Sequence, residues 1–185
     1  MIGIDEVGRG CWAGPLLVVA ARQTSVLPLG LADSKLVSKK KRERLFGGIG
    51  LACETGEGWV QPSEVDLLGL TAAMHLAVER SLLSLGAEVN EEIIIDGNIN
   101  YCPVRFTNVS AVINADANYP IVSAASIYAK VLRDRYMTQQ ALNYPAYSFE
   151  KHVGYGTAAH ISALKQHGVC VLHRLSYKPI KAFIV

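Results

Sequence analysis

Apolar positions along the chain fall into two kinds of run, and their spacing lays out strands and helices in alternation. Residues 1–6 and 12–22 are dense in Ile, Val, Leu and Ala without helical gaps, which predicts two largely buried strands. Ser38 stands where an N-cap belongs, ahead of a charged stretch that predicts a short helix to about Phe46, stopped by Gly47 and Gly48. Residues 49–60 predict a third strand, and Pro62-Ser63-Glu64 opens a short helix. From Leu70 to Leu85 the apolar residues recur at helical spacing, and Gly86 ends the run. Glu92 to Asp96 is a compact strand built on Ile93, Ile94 and Ile95 that leads into a Gly-Asn turn, and a fifth strand covers roughly Asn108 to Ile113. Residues 123–142 predict a long helix that begins with small residues and stops near Asn143 and Pro145. Thr157 to Gln166 predicts another, with Gly168 just beyond its end. Strands first, then helices interleaved, indicate an α/β or α+β sheet flanked by helices.

Composition narrows the class. A chain of 185 residues, half of them apolar, suits one domain over residues 1–185, with a substantial core and no disordered tract. No apolar run approaches the roughly 20 residues that span a bilayer, and the N-terminus is strand-like rather than a charged leader. Cys11, Cys53, Cys102 and Cys170 are widely spaced and form no C-x-x-C pair. The expectation is a cytoplasmic protein without membrane attachment, its thiols reduced and structural. The five histidines form no His-Glu-x-x-His or comparable pattern, which argues against zinc. A net charge of +2 says little by itself, but its distribution is uneven. Lys35, Lys39, Lys40, Lys41, Arg42 and Arg44 form one basic run, and Lys130, Arg133 and Arg135 another. Such runs either coat a solvated helix face or meet phosphates.

The densest chemistry lies between Gly3 and Gly14. Asp5 and Glu6 close the first strand and lead straight into Gly8-Arg9-Gly10. Paired carboxylates suit a hard cation such as Mg²⁺, which is held by one or two carboxylates together with substrate phosphates. The glycines let backbone N–H groups approach an anion or a sugar, and the arginine adds a planar fork of donors. The plain alternative is an acidic strand end before an ordinary glycine turn. Asp96 ends a second strand, so its carboxylate converges on that of Asp5 if the two strands are neighbours. Adjacent strand residues point to opposite faces, so Asp5 and Glu6 serve one site only where the strand ends or twists. Asp116, within Asn114-Ala-Asp-Ala-Asn118, reads equally as a turn aspartate or as a further ligand.

These residues carry a resemblance. Gly3 to Pro15 closely resembles the opening motif of the type 2 ribonucleases H, ribonuclease HII. Further blocks follow in the same order: Ala32-Asp-Ser-Lys35, Ile95-Asp-Gly-Asn98, Ala115-Asp116, Val122–Ile127, Ala129–Asp134 and Gly154-Tyr-Gly-Thr157. The resemblance implies a ribonuclease H-like fold, a five-stranded mixed sheet flanked by helices. It implies a Mg²⁺- or Mn²⁺-dependent endoribonuclease, with two ions beside the substrate, and Asp5, Glu6, Asp96 and Asp116 as catalytic metal ligands. The expected substrates are RNA/DNA hybrids and duplex DNA carrying single ribonucleotides; the sequence advertises no interface, so a monomer is expected. Gly8, Arg9 and Gly10 would contact the 2′-hydroxyl and flanking phosphates, and Tyr155 would pack on the sugar at the RNA–DNA junction. Lys35, Ser123, Ser126 and Lys130 are the expected backbone contacts. Two departures stand out. Val153 occupies the usual lysine position, which loses one phosphate contact, and Tyr177 ends His173-Arg-Leu-Ser-Tyr where phenylalanine is commoner, a change expected to affect packing alone. Rival readings are a DNA nuclease on the same fold and a hybrid-binding module without activity. A small-molecule phosphotransferase lacks its P-loop.

Overall fold

The structure, a computed structural model, describes residues 1–31 and 37–184. The Ala32–Lys35 block, and with it Lys35, lies outside the described residues. Five strands form one sheet in the order β3-β2-β1-β4-β5. They are β1 (Ile2–Val7), β2 (Leu16–Gln23), β3 (Cys53–Val60), β4 (Ile93–Asp96) and β5 (Val109–Val112). β1 to β3 are antiparallel neighbours, whereas β1 pairs with β4, and β4 with β5, in parallel. The sheet is therefore mixed, and its parallel half brings the carboxyl ends of β1 and β4 to the same rim.

Each face of the sheet carries a helix layer, as the period-2 alternation of its apolar residues requires. Ile2, Ile4, Leu16, Val18, Ile93 and Ile95 pack against Met74, Ala77, Val78 and Leu82 of α3 (Leu70–Leu85). Leu17, Val19, Ala21 and Ile94 pack on the other face against α5 (Pro120–Asn143) and α1 (Lys39–Ala52). α3 lies flush on β3 because Gly56 and Gly58 have no side chain. A Cβ at Gly58 would stand 1.8 Å from the Ala77 carbonyl oxygen. α5 also approaches β1 closely at Gly3, where a Cβ would meet the Ile121 backbone at 2.6 Å. A third apolar cluster fills the C-terminal part, around Ala13, Met137, Tyr147, Phe149, Leu164 and Ile180. It is built by α6 (Phe149–His152), α7 (Ala158–His167) and α8 (Lys178–Lys181), with a 3₁₀ turn at Pro145–Tyr147. Among the described residues no helix is long and apolar enough to cross a membrane.

Five expectations are corrected. The helix begun at Ser38 does not stop at Gly47 but runs to Ala52, because Leu45, Ile49 and Ala52 bury against the sheet. That burial outweighs glycine's helix penalty of about 1 kcal/mol per residue. The third strand accordingly starts at Cys53, not at residue 49. The second starts at Leu16 rather than at residue 12, so residues 12–15 extend the loop that follows the Gly-Arg-Gly turn. Asp116 sits in a one-turn helix, α4 (Ala115–Asn118), rather than a turn, and Pro120 as an N-terminal residue starts the long helix before 123. α2 (Pro62–Leu68) and α3 match the expectation. α7 also matches, whereas the four-residue helices α6 and α8 are too brief for periodicity to reveal.

Candidate active site

The register of the parallel pair places the acids. Ile4 stands opposite Ile95, so Asp5 and Asp96 follow side by side where the pairing of β1 with β4 stops. Both share the α5-facing side of the sheet with Ile94. β1 remains paired with β2 through Val7 but leaves β4 after Ile4. The strand thus continues past both acids, and Glu6 borders the opening left on the β4 side. Asp5, Glu6, Gly8, Arg9, Gly10, Asp96, Ser126, Lys130 and Tyr155 line one cleft of about 190 Å³.

The cleft's electrostatics centre on Asp5. Burial, then the neighbouring charge of Glu6, and more weakly that of Asp96, push its carboxyl well above the usual carboxylate range. Hydrogen bonds from the Ser126 hydroxyl and the Glu6 N–H (2.7 Å) oppose this shift. Asp96 accepts a 2.7 Å hydrogen bond from the Ala115 N–H, which ties the end of β4 to the helix that carries Asp116. Asp116 is buried beside the cleft and does not line it. All four acids offer hard oxygen donors, the type that suits Mg²⁺ or Mn²⁺. Among the described residues no three side chains of metal-ligating type already converge on one point.

Of the expected phosphate contacts, Ser126 and Lys130 face the cleft and Ser123 does not. The Ser123 hydroxyl is buried and donates to the Asp116 carbonyl, so it fixes α4 rather than facing substrate. Lys130 donates to Asp134 at 2.7 Å and lies 5.9 Å from the centre of the Tyr155 ring. The two basic runs meet where α1 packs on α5, joined by Arg42–Asp134 and Arg135–Glu43 pairs. Arg133 fits neither reading of its basic run, a solvated face or a phosphate contact, since it is wholly buried. Its Nε donates to the Pro15 carbonyl (2.8 Å), its Nη1 to Val153 (2.8 Å) and its Nη2 to Ala13 (3.0 Å).

Arg133 also explains Gly8. That residue has φ +87°, and a Cβ there would meet Arg133 Nε at 2.3 Å. Tyr155 projects from a loop that lies flat on residues 12–13. Cβ atoms at Gly154 and Gly156 would strike the Ala13 carbonyl and the Trp12 ring at 2.1 and 2.2 Å. The flanking glycines therefore allow close packing, and Tyr155 itself is 42% exposed, in the loop setting expected from its neighbours. Burial of the phenol, with the Cys11 thiol beside it, pushes its pKa up to about 12.

Sequence reasoning missed the support behind these loops. His152, His160 and His173 are buried together, with the rings of His152 and His160 stacked at 4.4 Å and His160 Nε2 3.0 Å from His173 Nε2. His160 Nδ1 lies 3.0 Å from the Tyr155 carbonyl, and the Gly154 N–H donates to His152 at 3.3 Å. Their separations in sequence give no periodic signal. Burial holds His160 and His173 neutral and lowers each pKa to about 4. The ordinary value of 6.5 applies to the unfolded chain, so between pH 6.5 and about 4 the unfolded state binds more protons and stability falls as pH falls. Each histidine withdraws up to about 1.4 kcal/mol per pH unit. Urea midpoints measured from pH 7.5 down to 4.5 are expected to drop below pH 6.5, and less steeply in His160→Gln. Equal slopes would assign the acid lability elsewhere.

Among known proteins, the sequence matches the family described as Ribonuclease HII over residues 2–180. The ribonuclease HII of Endomicrobium trichonymphae is 42% identical over 185 residues, which cover 98% of this chain and 87% of that protein. That of Pseudothermotoga lettingae is 40% identical over 184 residues, 97% and 78% of the two chains. The structure of the PCNA:RNase HII complex from Archaeoglobus fulgidus contains a chain that superposes with a TM-score of 0.80 at 27% identity, over 96% of this chain and 94% of that one.

Proposed function

The chain belongs to the ribonuclease HII family, and from that premise we propose that it cuts on the 5′ side of ribonucleotides, in RNA/DNA hybrids and singly within duplex DNA, leaving 3′-hydroxyl and 5′-phosphate ends. The coarser activity follows from membership: a metal-dependent ribonuclease H of type 2, with the ribonuclease H-like fold. The finer reading rests on one observation. The paired acids Asp5 and Asp96 share a cleft with a backbone-exposing Gly-Arg-Gly turn and an exposed tyrosine.

Asp5 and Asp96 would be the principal cation ligands, with Glu6 and Asp116 each completing one ion's set. Two Mg²⁺ or Mn²⁺ ions held there would supply a nucleophilic water and neutralise charge on the phosphoryl group and the departing 3′ oxygen. Lys130 and Ser126 border the path of the scissile strand. The 2′-hydroxyl distinguishes RNA from DNA, and the Gly8-Arg9-Gly10 backbone is the group that would read it. Tyr155 would stack on the sugar that follows. The reading extends to a cytoplasmic monomer that removes misincorporated ribonucleotides and RNA primers.

Labelled duplex DNA with one ribonucleotide, beside all-DNA and full-hybrid duplexes, tests this directly in Mg²⁺, Mn²⁺ and EDTA. The expected result is a metal-dependent nick immediately 5′ of the ribonucleotide and none in all-DNA. Cleavage of all-DNA would favour the DNA-nuclease reading, and binding without cleavage the hybrid-binding one. In the same assay Tyr155→Ala is expected to lower single-ribonucleotide cleavage about tenfold, the scale of one lost stacking contact. An unchanged preference between the two ribonucleotide substrates would remove Tyr155 from junction recognition.

A further inference from the structure

Gly8 to Cys11 form a β-turn, closed by a 3.3 Å hydrogen bond from the Cys11 N–H to the Gly8 carbonyl. The peptide between Arg9 and Gly10 is its central unit. Rotation of that unit interconverts the two commonest turn types, and the second of them needs positive φ at the third residue. Gly10 does not have positive φ here, yet as a glycine it can adopt it at little cost. Nothing lies within 4 Å of a Cβ at Gly10, so sterics do not oppose the flip. What holds the peptide in place is a pair of hydrogen bonds on the Arg9 carbonyl, from the Tyr177 hydroxyl at 2.7 Å and from Arg174 Nη1 at 3.0 Å.

These two donors are themselves fixed. Arg174 Nη1 also donates to the Tyr177 hydroxyl at 2.7 Å, and its guanidinium lies 5.2 Å from the centre of that ring. Arg174 is wholly buried and sets Nε and Nη2 on the Gly14 carbonyl at 3.1 and 2.9 Å. The segment is pinned from outside by Asp66 of α2, whose carboxylate accepts the N–H groups of Leu175 and Ser176, each at 2.8 Å, and the Ser176 hydroxyl. In a trans peptide the carbonyl and the following N–H point in opposite directions. With the Arg9 carbonyl drawn inward, the Gly10 N–H faces away from the clamp, and Gly10 borders the cleft.

We propose that Tyr177 is a positioning residue for ribonucleotide recognition: its hydroxyl, with Arg174, locks the Arg9–Gly10 peptide so that the Gly10 N–H meets the 2′-hydroxyl. Tyr177 therefore influences discrimination between ribose and deoxyribose without touching the substrate, a role beyond the packing change expected from sequence. The inference rests on the Gly8-Arg9-Gly10 turn being the 2′-hydroxyl reader.

Tyr177→Phe removes the hydroxyl alone. The test compares kcat and KM on a duplex with one ribonucleotide, inhibition by an all-DNA duplex, and Tm, for wild type and variant. The expected result is a fall of about three- to tenfold in kcat/KM on the ribonucleotide duplex, the worth of one hydrogen bond, with all-DNA inhibition unchanged and Tm lowered by only about 2–4 °C. An unchanged kcat/KM overturns the proposal, as does a fall matched by equally weakened all-DNA inhibition. A wild-type protein that fails to distinguish the ribonucleotide from the all-DNA duplex refutes the reading of the turn itself, a separate outcome.

Discussion

Asp5→Asn and Asp96→Asn are each expected to reduce cleavage to background while leaving the fold intact. The loss exceeds about a hundredfold, since even groups that only support metal ligands are worth 10–100-fold. The sign of the stability change separates loss of chemistry from loss of structure. In wild type Asp5 is buried beside Glu6 and near Asp96, and its carboxyl is held well above the ordinary range. The amide removes that repulsion yet keeps an oxygen to accept the Glu6 N–H and Ser126 hydroxyl. In EDTA the Tm of Asp5→Asn should equal or exceed that of wild type, and the Tm increase caused by Mg²⁺ should shrink. Wild-type cleavage rates in either variant would overturn the assignment. A lower Tm in EDTA would instead give Asp5 a structural role.

Arg133→Met is expected to destabilise the protein by about 3–5 kcal/mol, the scale for leaving buried polar groups uncompensated. The methionine approximates the volume of the arginine stem but strands the carbonyls of Ala13, Pro15 and Val153, all of which face Arg133 in the interior. Arg133→Lys should recover little, because one ammonium cannot satisfy three diverging acceptors as a planar guanidinium does. Urea unfolding followed by fluorescence gives the comparison. A loss below about 1 kcal/mol in Arg133→Met would show that the surrounding backbone finds other partners. Were Arg133 a phosphate contact, the same substitution would alter substrate affinity and salt dependence with little change in the urea midpoint.

The contrast between Asp5 and Arg133 shows what the chain discloses locally and what it does not. Asp5 and Asp96 each follow a short apolar run, so their meeting needed only that β1 and β4 be parallel neighbours. α3 was legible to the residue because its spacing is regular and Gly86 closes it. α1 was not, since its continuation through Gly47, Gly48 and Gly50 depends on Leu45 and Ile49 finding a sheet to cover. Arg133 looked like one more cation of a basic run. Its burial depends on the Pro15 carbonyl, 118 positions away in sequence. Arg174 reaches Gly14 across 160 positions, and the histidines gather from α6, α7 and the segment after α7. Polar groups satisfied by distant backbone leave no pattern in their own neighbourhood. Tyr177 belongs with them, because its phenylalanine-like position conceals a hydroxyl bonded to Arg9.

The loop from Arg9 to Pro15 is gripped by two guanidiniums, from Arg133 and Arg174, and every grip is on a main-chain carbonyl. Carbonyls are common to all residue types, so this scaffold does not depend on the side chains the loop displays. Variation at an outward-facing position such as Arg9 can retune affinity for the nucleic acid while the loop keeps its course. The protein thereby separates the inheritance of a shape from the adjustment of a specificity, with glycine required at Gly8 and Gly14, where positive φ is joined by close contact with Arg133 at the first and with Met137 at the second.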